Sequence, residues 1–129
     1  MIIRDYQSED LLALEQIYVA QALPYPLPAL DRMLVRRVVT DGERIVLAGA
    51  LKPTADAYLL VDTTWQTPGV RLWALERLHA AMLQATIKTN IQQVHAWIPP
   101  QLEKSMGRRL VRDFGWWHTD WPCYVKEVK

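Results

Sequence analysis

The sequence predicts a single mixed α/β (α+β) domain over residues 1–129, with a mostly antiparallel sheet and helices on both faces. Two β-rich runs meet at Asp41-Gly42, a strong hairpin signature. A strand–helix–strand pattern follows, which is typical of a sheet covered by helices. The length of 129 residues, half of them hydrophobic, suits one domain with its own core.

The first half of the chain predicts a strand, two helices and a meander of three strands. Residues 1–6 suit an opening strand, and Ser8 suits the N-cap of a helix that carries Leu11, Leu14 and Ile17 at helical spacing. Three prolines between residues 24 and 28 indicate a stiff loop, and a short helix is expected over residues 30–36. The hairpin and a further strand over residues 55–63 complete this half.

The second half predicts a helix, a strand, a helix and a closing strand. Apolar residues recur at helical spacing over residues 69–88, and residues 92–98 alternate as a strand before Pro99 and Pro100. A helix over residues 102–115 and a strand in the segment WPCYVKEVK follow. The expected order is therefore β-α-α-β-β-β-α-β-α-β.

Composition excludes several classes of protein. The formal net charge of +1 argues against a nucleic-acid-binding protein, because that grip needs a clear positive excess. A single cysteine, Cys123, excludes a disulfide scaffold, and three scattered histidines give little support for a metal site. The apolar runs are shorter than a membrane span, and the N-terminus lacks the apolar core of a signal peptide. We therefore expect a cytoplasmic protein that binds neither a metal nor a membrane.

The junction over residues 59–75 carries the chemistry, because a hydrophobic strand is predicted to lead through a short loop into the long helix. A helix N-terminus presents unpaired N–H groups and the positive end of its dipole, which suits a phosphate. The loop reads Gln66-Thr67-Pro68-Gly69-Val70-Arg71. It resembles the pyrophosphate loop of the GNAT superfamily of acyl-CoA-dependent N-acyltransferases, Q/R-x-x-G-x-G/A. Gln66 and Gly69 match, whereas Arg71 stands where the family has Gly or Ala.

The resemblance extends to chain length and to the order of the elements. It implies a protein that binds acetyl-CoA or another acyl-CoA and transfers the acyl group to a primary amine, on a small molecule or a peptide, by direct attack on the thioester. The family often dimerises, so a homodimer is a further implied state. The implied cofactor-binding residues are Gln66, Thr67, Gly69, Val70, Arg71 and Leu72.

The same resemblance suggests the catalytic and acceptor residues. Asp62 is the nearest candidate for the general base, and the plain alternative is a carboxylate that closes a turn. The family's usual tyrosine acid corresponds to Val111, so Tyr124 is the candidate that would replace it. Tyr25, Trp117 and His118 are the candidates for the acceptor pocket, and each also has an ordinary packing explanation.

Two alternatives stay open. Arg71 either contacts pyrophosphate or fills the space that the cofactor needs, and in the second case the fold serves as a catalytically inactive binding or assembly module. The tryptophans bear on the same choice: Trp116, Trp117 and Trp121 cluster near the C-terminus, and they suit either a pocket wall or an interface with a protein partner.

Overall fold

A computed structural model describes all 129 residues. The confirmed class is mixed α+β, with three α-helices and five strands. The strands are β1 (Ile2–Asp5), β2 (Val35–Asp41), β3 (Arg44–Leu51), β4 (Ala55–Asp56) and β5 (Val94–His95); the helices are α1 (Leu11–Gln21), α2 (Pro68–Ile87) and α3 (Arg108–Phe114). Short 3-10 turns lie at Ser8–Asp10, Leu30–Arg32 and Pro100–Leu102, and a π turn lies at Glu103–Gly107.

The chain divides into two compact units, which are described separately. The first contains residues 1–55 and 86–93, and the second contains residues 56–85 and 94–129. The first unit is built on an antiparallel sheet of order β1-β2-β3. The predicted opening strand and hairpin are confirmed. Gly42 opens the hairpin turn at φ +60°, a left-handed conformation that glycine adopts without steric cost.

The register of this sheet decides which side chains share a face. Val38 pairs with Arg4 on one side and with Ala48 on the other, so these three point the same way. Arg4 binds Asp10 through two contacts of 2.7 and 2.9 Å, and Asp10 directly precedes α1. Helix α1 therefore lies on the Val38 face of the sheet.

The buried core of the first unit is small. Val38 and the α1 residue Leu14 are its buried apolar side chains, and Asp10 and Thr40 are buried as well. Asp10 accepts a hydrogen bond of 2.8 Å from the backbone N–H of Gln7, which is the N-cap of the first turn. The prediction that Ser8 caps this helix is wrong, because Asp10 is the N-cap of α1 and Gln7 is the N-cap of the 3-10 turn before it.

The predicted strand over residues 55–63 is wrong beyond Asp56. β4 pairs with β5, and bonds from Ala57 to His95 and from Ala55 to Gln93 advance together along both strands, so the pair is parallel rather than part of an antiparallel meander. Beyond it, Tyr58 and Leu60 are 86% and 96% exposed. A β-rich sequence forms a strand only where a neighbouring strand satisfies its backbone groups, and these residues have none.

The bounds of other elements also differ from the predicted ones, either because no neighbouring strand is present or because a proline intervenes. The strand expected over residues 92–98 is limited to Val94–His95, and no strand forms over residues 121–129, where Tyr124 and Val128 are 94% and 89% exposed. The short helix over residues 30–36 is a single 3-10 turn. The helix expected over residues 102–115 begins at Pro100 as a 3-10 turn and a π turn, and it becomes α-helical only at Arg108. The long helix expected over residues 69–88 is confirmed as α2.

Candidate functional site

The loop that leads into α2 closes on itself through Thr67. The Thr67 hydroxyl accepts a hydrogen bond of 3.3 Å from the backbone N–H of Val70. The Thr67 carbonyl accepts a hydrogen bond of 3.0 Å from the backbone N–H of Arg71. Pro68 opens the helix and has no N–H to offer. The first turn therefore leaves the N–H of Gly69 for a ligand. A Cβ built on Gly69 meets nothing within 4 Å, so the approach to this backbone is open.

The side chain of Arg71 is hydrogen-bonded to the loop that precedes α2. Its Nη1 donates to the carbonyl of Trp65 at 2.9 Å and to that of Gln66 at 2.8 Å. Gln66 has a φ of +52°, which for a residue with a Cβ is a strained left-handed conformation. The arginine thus holds the bend at residues 65–66 in place, and its positive charge lies at the start of α2.

Asp62 belongs to the same loop. Its Oδ1 accepts from the Thr64 hydroxyl at 2.6 Å and from the Thr64 N–H at 2.9 Å, and these bonds lower the pKa of Asp62 below its ordinary value. The positive charge of Arg71 lowers the pKa further. Asp62 therefore closes a turn, as the plain alternative predicted, and a further hydrogen bond from the backbone N–H of Trp65 also lowers its pKa. The structure brings Asp62 together with Gln66, Thr67 and Arg71 in one short segment.

The other predicted residues are placed as follows. Leu72 is half-buried in the second turn of α2. Tyr124 is 94% exposed in a segment without regular structure, and Trp117 is 75% exposed. His118 pairs with Asp120 at 3.2 Å on the surface. Tyr25, in the first unit, accepts a hydrogen bond on its carbonyl from the Tyr18 hydroxyl.

A groove in the first unit was not predicted from the sequence. It encloses about 750 Å³ between α1 and the chain that leads to the Leu30–Arg32 turn. Its walls are mainly apolar, with two carboxylates, Glu15 and Asp31, and two tyrosines, Tyr6 and Tyr18, among the lining residues. Prediction failed here because Glu15 and Asp31 are 16 positions apart and neither belongs to a motif.

A contact between His79 on α2 and Trp116, just after α3, was also not predicted from the sequence. The indole N–H of Trp116 donates to Nε2 of His79 at 3.0 Å, and the His79 ring lies 4.8 Å from the Phe114 ring. Nε2 of His79 is therefore the acceptor that satisfies the indole N–H of Trp116. Trp116 thus belongs to the packing of the second unit rather than to its exposed surface.

No three His, Cys, Asp or Glu side chains are placed so that they could bind one metal ion together. No helix combines the length and the apolar character needed to span a bilayer. No family model matches the chain, and no curated protein and no solved structure shows a significant similarity to it.

Proposed function

We propose that the protein is an N-acyltransferase that transfers an acyl group from acetyl-CoA, or another acyl-CoA, to a primary amine. The observation that carries this proposal is the start of α2, where the open N–H of Gly69 and the guanidinium of Arg71 lie in one loop. Both groups attract a phosphate, the first through the helix dipole and the second through charge-assisted hydrogen bonds. The proposal also rests on the resemblance of this loop to the pyrophosphate loop of the GNAT superfamily.

In the proposed reaction, residues 66–72 hold the pyrophosphate of acyl-CoA. The amine nitrogen attacks the thioester carbonyl carbon, a C–N bond forms, and the C–S bond breaks to release the thiolate. Asp62 is the proposed base that accepts the proton of the attacking amine. Tyr124 is the proposed donor of a proton to the thiolate.

The groove of the first unit, taken by itself, has the chemistry to bind an amine. Carboxylates from Glu15 and Asp31 favour an ammonium group, while the apolar walls favour a hydrocarbon body. The face of a tyrosine ring also attracts cations. The ring of Tyr6 already receives the guanidinium of Arg36, 5.5 Å from its centroid.

Calorimetric titration with acetyl-CoA tests the donor site. We expect the wild-type protein to bind with a dissociation constant below about 1 mM and Arg71→Ala to bind about tenfold more weakly, which corresponds to one charge-assisted phosphate contact. Arg77→Ala is the matched control, because Arg77 lies on the same helix but stacks on Trp73 at 5.1 Å. Absence of heat at millimolar acetyl-CoA would overturn the proposal, and tighter binding by Arg71→Ala would show that the arginine obstructs the site.

Titration with phenethylamine, a primary amine with an apolar body, tests the groove. We expect the double variant Glu15→Gln, Asp31→Asn to bind it about tenfold more weakly than the wild type, because two attractive charges are lost. Glu9→Gln is the control, since Glu9 is exposed on the preceding turn and does not line the groove. Equal affinity for phenethyl alcohol, which carries no charge, would contradict a site built for amines.

A second candidate function is an acyl-CoA-independent binding module. The exposure of Trp117, Trp121, Val125 and Val128, between 61% and 89%, favours it, because such side chains are typical of protein interfaces. The titration with acetyl-CoA separates the two functions, since only the acyltransferase requires it.

A further inference from the structure

The hydrogen bond between Trp116 and His79 joins two residues of the second unit and depends on the protonation of one of them. The indole N–H of Trp116 is a donor only, so its bond of 3.0 Å needs a free electron pair on Nε2 of His79. A neutral imidazole has one nitrogen with such a pair, whereas the doubly protonated ring has none. Uptake of a proton by His79 therefore removes the acceptor of this bond.

The backbone at the end of α3 sets the position of Trp116. Gly115 follows the helix with a φ of +77°, a left-handed conformation that is common in glycine where a helix ends. The backbone N–H groups of Gly115 and Trp116 both donate to the carbonyl of Leu110. The indole is thus fixed to the end of α3, and its bond to His79 connects that end to α2.

The surroundings of the bond make its loss costly. His79, Phe114 and Trp116 are half-buried, and the His79 ring lies 4.8 Å from the Phe114 ring and 6.2 Å from the Trp116 ring. Phe114 has no polar atom that could accept the indole N–H. If His79 were doubly protonated in its present position, two N–H groups would face each other without an acceptor, which is unfavourable away from water.

A carboxylate on α2 provides a different partner for a charged His79. Glu76 precedes His79 by three positions, a spacing at which side chains on one helix meet. Glu76 is exposed and takes part in none of the ion pairs of the structure. The other charged side chains near the contact have partners of their own: Arg77 lies over the ring of Trp73, Arg109 and Arg112 interact with Asp113, and His118 binds Asp120.

We propose that His79 is a pH-sensitive switch that connects the end of α3 to α2 when it is neutral and releases it when it is charged. In the charged state Nε2 carries a proton taken from the solvent, the bond from Trp116 breaks, and the imidazolium pairs with Glu76. Histidine ordinarily gains its second proton near about pH 6.5, so the switch operates between about pH 8 and about pH 5. It is independent of acyl transfer.

NMR of the isotope-labelled protein at about pH 8 and about pH 5 tests the switch. The six tryptophans give six indole N–H signals, and Trp116→Phe identifies the one that belongs to Trp116. We expect this signal to move upfield at the lower pH, because the indole proton loses its hydrogen bond, while the far-ultraviolet circular dichroism stays the same. An unchanged signal would overturn the proposal, and so would a loss of circular dichroism, since the change would then not be local.

Three variants identify the group that responds to pH. His79→Gln keeps a side chain that can accept a hydrogen bond but cannot gain a charge, so its Trp116 signal should be the same at both pH values. His118→Gln is the matched control, because His118 lies two positions from Trp116 and should leave the response as in the wild type. If His118→Gln removed the response and His79→Gln retained it, His79 would not be the switch.

Glu76→Gln tests the charged state of the switch. Without the carboxylate, the imidazolium loses its partner, so we expect the Trp116 signal to move only at a lower pH than in the wild type. An unchanged midpoint would contradict the pairing of His79 with Glu76.

Discussion

Replacing Asp10 with alanine is expected to lower the free energy of unfolding by about 2 kcal/mol, the typical value of hydrogen bonds to a charged group. Asp10 is buried and accepts two bonds from Arg4 and one from the N–H of Gln7, so the substitution removes the link between β1 and the start of α1. Urea denaturation followed by circular dichroism measures the change.

The same carboxylate predicts a pH dependence. The hydrogen bond from Arg4 is the largest cause that lowers the pKa of Asp10 in the folded state. A lowered pKa stabilises the fold at pH values above the ordinary carboxyl pKa of about 3.9, and this contribution is lost as the pH falls through the lower folded value. We therefore expect Asp10→Asn to lose less stability than the wild type when both are acidified from about pH 5.

Asp113→Asn is the control for both measurements. Asp113 also has a lowered pKa, but its ion pair with Arg112 joins neighbouring residues on the surface. Exposed pairs of this kind contribute little to stability. Its midpoint of denaturation should match that of the wild type. If Asp10→Ala also matched the wild type, the link through Arg4 would not stabilise the sheet.

Asp62→Asn is expected to reduce the turnover number for acyl transfer about 100-fold, the lower end of the usual contribution of a general base. The asparagine side-chain oxygen can still accept both bonds from Thr64, so the loop keeps its turn. The dissociation constant of acetyl-CoA should therefore stay unchanged. Steady-state kinetics with separate titration of acetyl-CoA measures both quantities.

Two further variants distinguish the role of Asp62 as a general base from its role in closing the turn. Asp62→Ala removes both, so we expect slower turnover together with weaker acetyl-CoA binding. Thr64→Ala removes the hydroxyl bond of 2.6 Å from the turn but leaves the carboxylate, so it should weaken binding and retain most of the turnover. Wild-type turnover in Asp62→Asn would show that Asp62 only closes the turn.

Local sequence signals were sufficient for several elements. The hairpin depends on a glycine at positive φ, and the 20-residue helix α2 depends on apolar spacing, a proline at its first position and no internal breaker. Both signals act within a few residues along the chain. The Asx-type turn of Asp62 belongs to the same class, because its partner Thr64 is two positions away.

The strands predicted after residue 54 agree less well with the structure, and their residues show why. Tyr58, Leu60 and Tyr124 have high β propensity, but propensity measures how well a side chain fits a sheet that already exists. Where no neighbouring strand lies alongside, these residues stay outside any sheet. The burial of the tryptophans also depends on neighbours. Trp116 donates a hydrogen bond to His79, whereas Trp117 remains 75% exposed.

The sequence by itself determined the mixed α+β class, the first hairpin, the long helix and the loop that resembles a pyrophosphate site. The tertiary structure alone decided that Arg4 binds Asp10, that Arg71 holds the carbonyls of residues 65–66 and that a groove with two carboxylates forms beside α1. The physical reason is one of distance along the chain. Turns and helices are stabilised by bonds over two to four residues, whereas faces, grooves and sheet edges arise from strand register, which joins residues far apart in sequence.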